Sequence, residues 1–397
     1  MYLNPEIAKD IFYIGVNDRL KEKFENMIPL PQGVSYNSYL IVDEKIALID
    51  TVDISFADVF ITKIKSQLKD KQIDYLIINH VEPDHSGSIN SIRKYYPNIT
   101  IVGNKKTLEM LEGFYGIDDN TLEIADDEVL SLGKHNLKFI ITPMVHWPET
   151  MMTFDETVKV LFSGDVFGSF GTLDGGVIDS HINTERYWDE MIRYYANVIG
   201  KYGAPVQKTL QKLTPVDFQI ICSTHGPVWK EHVSKAVDIY DRMSCYDGKD
   251  GAVVVYGSMY GNTEQMAEAV AQGLVMSGIR NVVLHNVSKS DASVILRDIF
   301  KYKGLIIGSP TYCNELHPEI DSLLKKIEIR GIKNRRFGYF GSYSWAGVVN
   351  KRLAEYAEKM KWETVDFTVV EKMGLKENNY HSCILLGKKV AELIKKQ

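Results

Sequence analysis

The sequence of 397 residues has little of three things: closely spaced cysteines, excess positive charge and long apolar runs. Its cysteines lie at positions 222, 245, 313 and 383 and form no CxxC pair, which argues against a disulfide framework, a rubredoxin-type iron site or a zinc ribbon. A formal net charge of −6 disfavours general nucleic-acid binding. No uncharged apolar run approaches the ~18 residues of a membrane span, and the N-terminus does not resemble a signal peptide, so we expect a cytoplasmic protein.

The length exceeds the ~250–300 residues at which one hydrophobic core stops growing, so we expect at least two domains. Short apolar segments alternate with longer amphipathic segments, which indicates an α/β fold. Neighbouring apolar pairs favour hairpins, and therefore a sheet sandwich with helices outside. In the first part the predicted strands are Ile11–Val16, Ser38–Val42, Ile46–Asp50, Tyr75–His80, Ile99–Gly103, Lys138–Met144, Val158–Ser163 and Phe218–Ser223.

Gly and Asp residues break the periodicity after a predicted helix at Val233–Ser244, so we place a domain boundary near residue 248. Helical patterns then follow most of the strands, as at Glu264–Val275 and Ala346–Met360. Strands alternating with helices predict a doubly wound parallel sheet, whose ligand site lies beyond the carboxyl ends of its strands. The predicted strands are Ala252–Tyr256, Val282–Val287, Gly304–Ile307, Phe337–Gly341 and Thr364–Val370.

Seven side chains of the first part are candidate metal ligands. Four of them fall within the segment HVEPDH, directly after an apolar strand, and the other three each follow a later predicted strand. Four imidazoles and three carboxylates exceed the four ligands of a tetrahedral zinc ion, so they predict two metal ions that share a bridging carboxylate. The seven are His80, Glu82, Asp84, His85, His146, Asp165 and His225.

The order and spacing resemble the metallo-β-lactamase fold, in which H-x-H-x-D-H, a later His, a bridging Asp and a last His hold two metals. This sequence has Glu82 where the hydrolases usually carry His, and a carboxylate makes the site harder and favours iron over zinc. H-x-E-x-D-H resembles the flavodiiron proteins, also called A-type flavoproteins. That resemblance implies one iron bound by His80, Glu82 and His146, a second bound by Asp84, His85 and His225, and Asp165 as the bridge.

The C-terminal part opens with a strand, a loop of hydroxyl, Gly and amide residues, and a helix, a junction that favours a phosphate group. Neither the P-loop motif nor G-x-G-x-x-G is present, which favours a mononucleotide. Two later loops combine aromatic and small residues, as a flat isoalloxazine ring requires. The predicted contacts are Ser258, Met259, Tyr260, Gly261, Asn262, Thr263, Pro310, Thr311, Tyr312, Cys313, Asn314, Ser342, Tyr343, Ser344, Trp345, Ala346 and Gly347.

This arrangement resembles flavodoxin, which implies FMN as the cofactor. We interpret Cys313 as a buried structural thiol rather than a redox group, because no partner cysteine lies near it in the sequence. In the first part, the flavodiiron resemblance implies that Tyr194 or Tyr195 faces the diiron pocket and donates a hydrogen bond to a bound intermediate.

Together the two resemblances cover almost the whole chain and identify it as a member of the flavodiiron family. They imply an α/β protein with a metallo-β-lactamase-like αββα sandwich at residues 1–248 and a flavodoxin-like doubly wound parallel sheet at residues 249–397. The implied activity is reduction of O₂ to water, of NO to N₂O, or of both, at a non-haem diiron site supplied with electrons through FMN. The residues do not distinguish O₂ from NO.

The family resemblance also implies partners. A head-to-tail homodimer, or a tetramer of such dimers, places the flavin of one chain beside the diiron site of another. Because the sequence has no CxxC pair, we expect no built-in rubredoxin and therefore an external electron donor, such as rubredoxin or a reduced deazaflavin.

Two other functions are compatible with the residues. One is a dinuclear zinc hydrolase with a fused flavodoxin-like domain, against which Glu82 argues. The other is a flavoprotein electron carrier with an inert metal domain, against which the complete ligand set argues. Metal analysis distinguishes the first alternative, and the rate at which O₂ and NO reoxidise the reduced protein distinguishes the second.

Overall fold

The computed structural model describes residues 4–396, and the chain divides into two compact units. The first unit contains the residues up to Tyr195 together with Ala204–Asp241. The second contains Ala196–Gly203 together with the residues from Arg242 onward. The boundary that the sequence analysis places near residue 248 stays a prediction. Nothing in the sequence indicated that the short segment Ala196–Gly203 groups with the C-terminal unit.

The first unit is built on two facing sheets. Its strands are β1 Glu6–Ala8, β2 Ile11–Tyr13, β3 Val16–Asp18, β4 Lys23–Phe24, β5 Ile28–Pro29, β6 Val34–Tyr36, β7 Tyr39–Val42, β8 Ile46–Ile49, β9 Tyr75–Ile77, β10 Thr100–Gly103, β11 Thr121–Glu123, β12 Val129–Ser131, β13 Asn136–Ile141, β14 Met151–Asp155, β15 Val160–Gly164 and β16 Ile220–Ser223. Its helices are α1 Ala57–Leu68, α2 Pro83–Ser86, α3 Ile89–Tyr95, α4 Lys105–Tyr115, α5 Glu185–Tyr194, α6 Gly203–Leu213 and α7 Val233–Ser244, of which α6 and α7 each run across a division between the units.

One sheet has the strand order β1-β2-β7-β8-β9-β10-β11 and the other the order β12-β13-β14-β15-β16. The predicted hairpin is confirmed, since β7 pairs antiparallel with β8. Tyr39 joins the two sheets: its ring lies 5.3 Å from that of Phe162, and its hydroxyl donates to the carbonyl of Ser223 at 2.7 Å. Strand β14 was not predicted, because all of its residues are buried and it lacks the alternating pattern of a half-exposed strand.

The second unit is a doubly wound sheet, as predicted. Its elements are β17 Lys249–Tyr256, α8 Asn262–Met276, β18 Val282–Asn286, α9 Ala292–Lys301, β19 Tyr302–Tyr312, β20 Glu315–Leu316, α10 Pro318–Ile329, β21 Arg336–Tyr343, α11 Val349–Met360, β22 Glu363–Thr364, β23 Val369–Lys372 and α12 Glu377–Lys395. Strands β18, β17, β19 and β21 are parallel neighbours in that order, and β22 and β23 both pair with β21. This is the order of flavodoxin-like sheets.

Helices α8 and α12 cross at very short range in the core of this unit. A Cβ atom at Gly273 would lie 2.1 Å from the carbonyl oxygen of Ile384, and one at Gly387 would lie 2.1 Å from that of Val270. Only glycine therefore permits the crossing, which covers the strand residues Val254 and Ile306. Within residues 4–396, the helices lack the combination of length and apolarity that a bilayer crossing demands.

Candidate metal centre and flavin cleft

The first site is assembled from loops that follow strands of the first unit. His80 follows β9, and the chain then turns into α2, with Glu82 at the N-cap position and Pro83 as the first helical residue. This turn contributes four predicted ligands, two to each of two groups. His146 lies between β13 and β14, Asp165 directly follows β15, and His225 follows β16. All seven predicted ligands are brought together, in one group of four and one group of three.

The group of four consists of His80, Glu82, His146 and Asp165. Nε2 of His146 lies 3.1 Å from Oε2 of Glu82 and 3.1 Å from Oδ2 of Asp165. Nε2 of His80 lies 3.2 Å from the same Glu82 oxygen and 3.6 Å from Oδ2 of Asp165. Two imidazole nitrogens and two carboxylates therefore surround one point.

The group of three consists of Asp84, His85 and His225. Nε2 of His85 lies 3.0 Å from Oδ1 of Asp165, and Nε2 of His225 lies 3.7 Å from the same oxygen. Asp165 thus turns one carboxylate oxygen to each group. This is the arrangement that a bridging ligand requires.

The charges at the site suit cations. Both oxygens of the buried Asp84 and Nε2 of His225 have no hydrogen-bond partner among the described residues, although such groups are costly to bury alone. Burial opposes charge on both His85 and His146. The charge of nearby Asp84 outweighs burial at His85 and raises its pKa to about 9. A hydrogen bond to Asp165 does the same at His146, whose pKa is also raised to about 9. Burial likewise opposes charge on Asp165, but His85 and His146 hold its pKa well below the usual range. The donor set therefore fits metal ions.

A further layer of contacts, which the sequence did not predict, orients the imidazoles. Nδ1 of His80 lies 2.6 Å from Oε1 of the fully buried Glu149, and Nδ1 of His225 lies 2.7 Å from the carbonyl oxygen of Ser35. Both contacts leave Nε2 directed at the site. Thr224 donates to Oδ1 of Asp165 at 2.6 Å. The signals that could have pointed to Glu149 and Thr224 are their positions close to His146 and His225 in the sequence.

The two candidate tyrosines face different surroundings. The ring of Tyr194 lies 5.5 Å from that of His225, and its hydroxyl has no hydrogen-bond partner among the described residues. Burial, followed by the charge of Asp165, raises the pKa of Tyr194 well above its usual value. The ring of Tyr195 instead packs against Tyr240 at 5.1 Å. Tyr194 is therefore the tyrosine beside the donor set.

The second site is a cleft of about 180 Å³ at the carboxyl ends of β17, β19 and β21. Oγ1 of Thr263 and Oγ of Ser342 lie 2.9 Å apart in it, and the Asn262 side chain donates to the carbonyl of Met373 at 2.6 Å. The first backbone N–H groups of a helix lack internal acceptors, so the start of α8 offers donors to a phosphate. The cleft is lined by Ser258, Met259, Tyr260, Asn262, Thr263, Pro310, Thr311, Ser342, Tyr343, Ser344, Met373 and Gly374.

Most of the predicted flavin contacts line this cleft, and the others lie on the same loops outside its lining: Gly261, Tyr312, Cys313, Asn314, Trp345, Ala346 and Gly347. Met373 and Gly374 were missed, since they follow a short strand whose residues give no sign of ligand contact. The prediction that Cys313 is buried is wrong. Cys313 and Asn314 form the two-residue turn between β19 and β20 with φ of 49° and 59°, which directs the thiol outward.

Known proteins match both units. A family model described as ODP family beta lactamase matches residues 34–226, and a flavodoxin model matches residues 254–381. A nitric oxide reductase of Moorella thermoacetica is 32% identical over 364 residues, which is 90% of each chain. An anaerobic nitric oxide reductase flavorubredoxin of Escherichia coli is 33% identical over 357 residues, which is 88% of this chain and 74% of that protein.

Solved structures agree along the whole chain. A rubredoxin oxygen:oxidoreductase of Desulfovibrio gigas superposes with a TM-score of 0.94 at 28% identity, covering 99% of both chains. A flavodiiron protein of Giardia intestinalis gives a TM-score of 0.93 at 28% identity, covering 100% of this chain and 98% of that one. Fold and site define a metallo-β-lactamase-like domain followed by a flavodoxin-like domain. With these relatives, they show that the chain belongs to the flavodiiron protein family.

Proposed function

We propose that this chain is a flavodiiron oxidoreductase that reduces O₂ to water, NO to N₂O, or both. The observation that carries the proposal is the position of Asp165, whose two oxygens face two separate groups of imidazoles and carboxylates. Such a bridge serves two metal ions, and Glu82 in the place of the usual hydrolase histidine favours iron over zinc. The relatives named as nitric oxide reductases and as a rubredoxin oxygen:oxidoreductase support the same reaction class.

In this proposal His80, Glu82 and His146 hold one iron, and Asp84, His85 and His225 hold the other. Asp165 bridges the two. The mixed set of imidazole nitrogens and carboxylate oxygens suits iron. Iron bound by these residues would supply a Lewis-acidic centre and electrons for reduction of the diatomic substrate. Glu149 and the Ser35 carbonyl keep the ligand nitrogens aimed at the metals.

Tyr194 supplies a hydrogen-bond donor beside the irons. Its hydroxyl is buried, has no partner among the described residues and lies on a ring packed against His225. A donor placed where negative charge develops stabilises the reduced substrate. Tyr195 has a packing role, because its ring lies against Tyr240.

FMN is the cofactor of the second unit. Ser258, Thr263 and the start of α8 would hold its phosphate, and the loops after β19 and β21 would hold its ring, since residues of all these segments line the cleft. Bound FMN stores two electrons and releases them singly. Every phosphate donor named here is neutral, which suits a phosphomonoester held by hydrogen bonds.

The assembly we propose is a head-to-tail homodimer, alone or paired into a tetramer, in the cytoplasm. Exposed apolar side chains accompany each site: Phe114 and Met144 are 54% and 38% exposed in the first unit, and Tyr260 and Trp345 are 95% and 90% exposed in the second. Exposed apolar surface of this kind marks contact sites. The electron donor we propose is rubredoxin or a reduced deazaflavin.

The deciding experiment is metal and flavin analysis followed by steady-state turnover of O₂ and NO with one common reduced donor. We expect two irons and one FMN per chain, and turnover of at least one gas without release of peroxide. Two zincs and no iron would establish a hydrolase instead. Slow reoxidation that forms peroxide or superoxide would establish an electron carrier.

The dimer is tested separately, with heterodimers of a flavin-deficient chain and an iron-deficient chain. Head-to-tail electron transfer predicts that such mixed dimers recover turnover, because one intact flavin then faces one intact iron pair. Activity confined to intact chains would contradict the proposed arrangement.

A further inference from the structure

Tyr36 is a second buried tyrosine whose hydroxyl is unaccounted for. It ends β6, it is 0% exposed, and its hydroxyl has no hydrogen-bond partner among the described residues. Two other buried tyrosines of the same unit are hydrogen-bonded: the hydroxyl of Tyr13 donates to Oδ1 of Asn37 at 2.9 Å, and that of Tyr39 donates to the carbonyl of Ser223. A buried hydroxyl normally finds a partner, so this one points to a ligand.

The ring of Tyr36 lies directly beside the second group of metal ligands. Its centroid is 5.9 Å from that of His225, which it meets edge to face, and Nε2 of His225 lies 3.4 Å from Oδ2 of Asp84. The residue before it, Ser35, holds Nδ1 of His225 through its carbonyl oxygen. Tyr194 meets the same imidazole at 5.5 Å. His225 is thus in contact with two phenols whose hydroxyls are unpartnered within residues 4–396.

The position of the Tyr36 ring is defined by further contacts. Nζ of Lys21 lies 5.3 Å from its centroid and is itself held by Oδ2 of Asp53 at 3.0 Å. The ring of Phe56 packs at 6.3 Å. A hydroxyl on a ring fixed in this way is pre-organised, so little ordering is required when it binds a ligand.

We propose that Tyr36 is a second substrate-contacting residue, whose hydroxyl donates a hydrogen bond to a diatomic molecule or small anion bound on the Asp84 and His225 side of the metal pocket. This inference rests on the proposed function. Partial negative charge develops on the substrate as it is reduced, and a fixed donor stabilises that charge. The two tyrosines then serve two different positions of the bound molecule.

The test uses the full-length protein loaded with iron and FMN, and sodium azide as an anionic probe. Azide is titrated into the oxidised protein and followed by absorbance. In Tyr36→Phe we expect the azide Kd to rise about tenfold, as for loss of one hydrogen bond to a charged group, while iron content is unchanged. Thermal stability should also be unchanged, since the hydroxyl has no protein partner to lose.

Tyr13→Phe is the matched control. It removes a hydroxyl with a partner, so it should lower the unfolding temperature and leave the azide Kd unchanged. An unaltered azide Kd in Tyr36→Phe would overturn the inference, and so would loss of iron, which would assign the hydroxyl to positioning Asp84. Wild-type protein that binds neither iron nor azide would instead overturn the proposed function itself.

Discussion

The two sites of this protein are built in opposite ways. In the first unit each of the seven donors is at most 8% exposed, and the imidazoles and carboxylates already lie 3.0–3.7 Å apart. In the second unit the cleft opens to solvent, with Tyr260 and Trp345 on its loops almost fully exposed. One site is a closed set of charges and the other an open set of neutral donors.

The difference follows from what each site holds. Metal ions require several charged ligands at fixed separations, and buried charges persist only when they are mutually paired or bound to a cation. A flavin presents a large flat surface and a phosphate, so backbone N–H groups and hydroxyls on exposed loops suffice. Substitutions at the metal centre should therefore have larger effects than substitutions at the flavin cleft.

Asp165→Asn should have the largest effect. An amide leaves one oxygen where the bridge needs two, so we expect loss of iron and a fall in turnover of about 100-fold or more, with FMN content unchanged. Iron and flavin assays on the purified variant measure both. Asp298→Asn, a buried aspartate of the second unit that pairs with His285, is the matched control and should keep its iron. Loss of FMN from Asp165→Asn would show that the two sites are not independent.

Glu149→Gln should have a smaller effect at the same site. The amide still accepts a hydrogen bond but no longer provides the charge that orients His80, and such contacts are worth about 10–100-fold in metal affinity. Iron loss against a competing chelator measures it. Glu371→Gln alters another buried glutamate, in the second unit, and should not change iron retention. Equal retention of iron by the two variants would mean that Glu149 contributes to folding alone.

Thr263→Val tests the flavin cleft. It removes a hydroxyl that lies 2.9 Å from Ser342, and one neutral hydrogen bond corresponds to about a fivefold rise in the FMN Kd. Fluorescence titration of the flavin-free protein measures the Kd, with iron content expected to stay constant. Thr368→Val removes a hydroxyl bonded to the Tyr339 carbonyl and should leave the Kd unchanged. A loss of FMN affinity as large as the loss of iron affinity expected on replacing a metal ligand would contradict the contrast between the sites.

Asp155→Asn should have the smallest effect, and only on stability. A hydrogen bond to Asp155 raises the pKa of the buried His135. The stability gained is fully present below the ordinary histidine pKa near 6.5 and is lost as pH rises through the raised value. The variant should therefore unfold at a lower temperature than wild type below about pH 6, with a difference of about 1 kcal/mol that shrinks in alkaline buffer. A difference that grows with pH would contradict this account.

Sequence alone predicted much of this protein, but unevenly. The seven donors were predicted because ligand-type residues stand immediately after apolar strands, four of them within one short segment. Neighbouring residues on a helix point about 100° apart, so the choice between Tyr194 and Tyr195 depended on the rotation of α5 against His225. Glu149 and Tyr36 were missed because a single glutamate or tyrosine has no distinctive pattern. Met373 was missed because its contact with Asn262 spans distant loops.

The sequence by itself determined the architecture of two domains, the chemistry of the donors and the neutral phosphate loop. Periodicity and residue type are local properties, and these conclusions required nothing else. Only the tertiary structure decided which oxygen of Asp165 faces which imidazoles, which tyrosine lies beside them and that Cys313 is exposed. Those outcomes depend on how strands distant in sequence bring their loops together, and on a turn whose backbone directs a thiol to solvent.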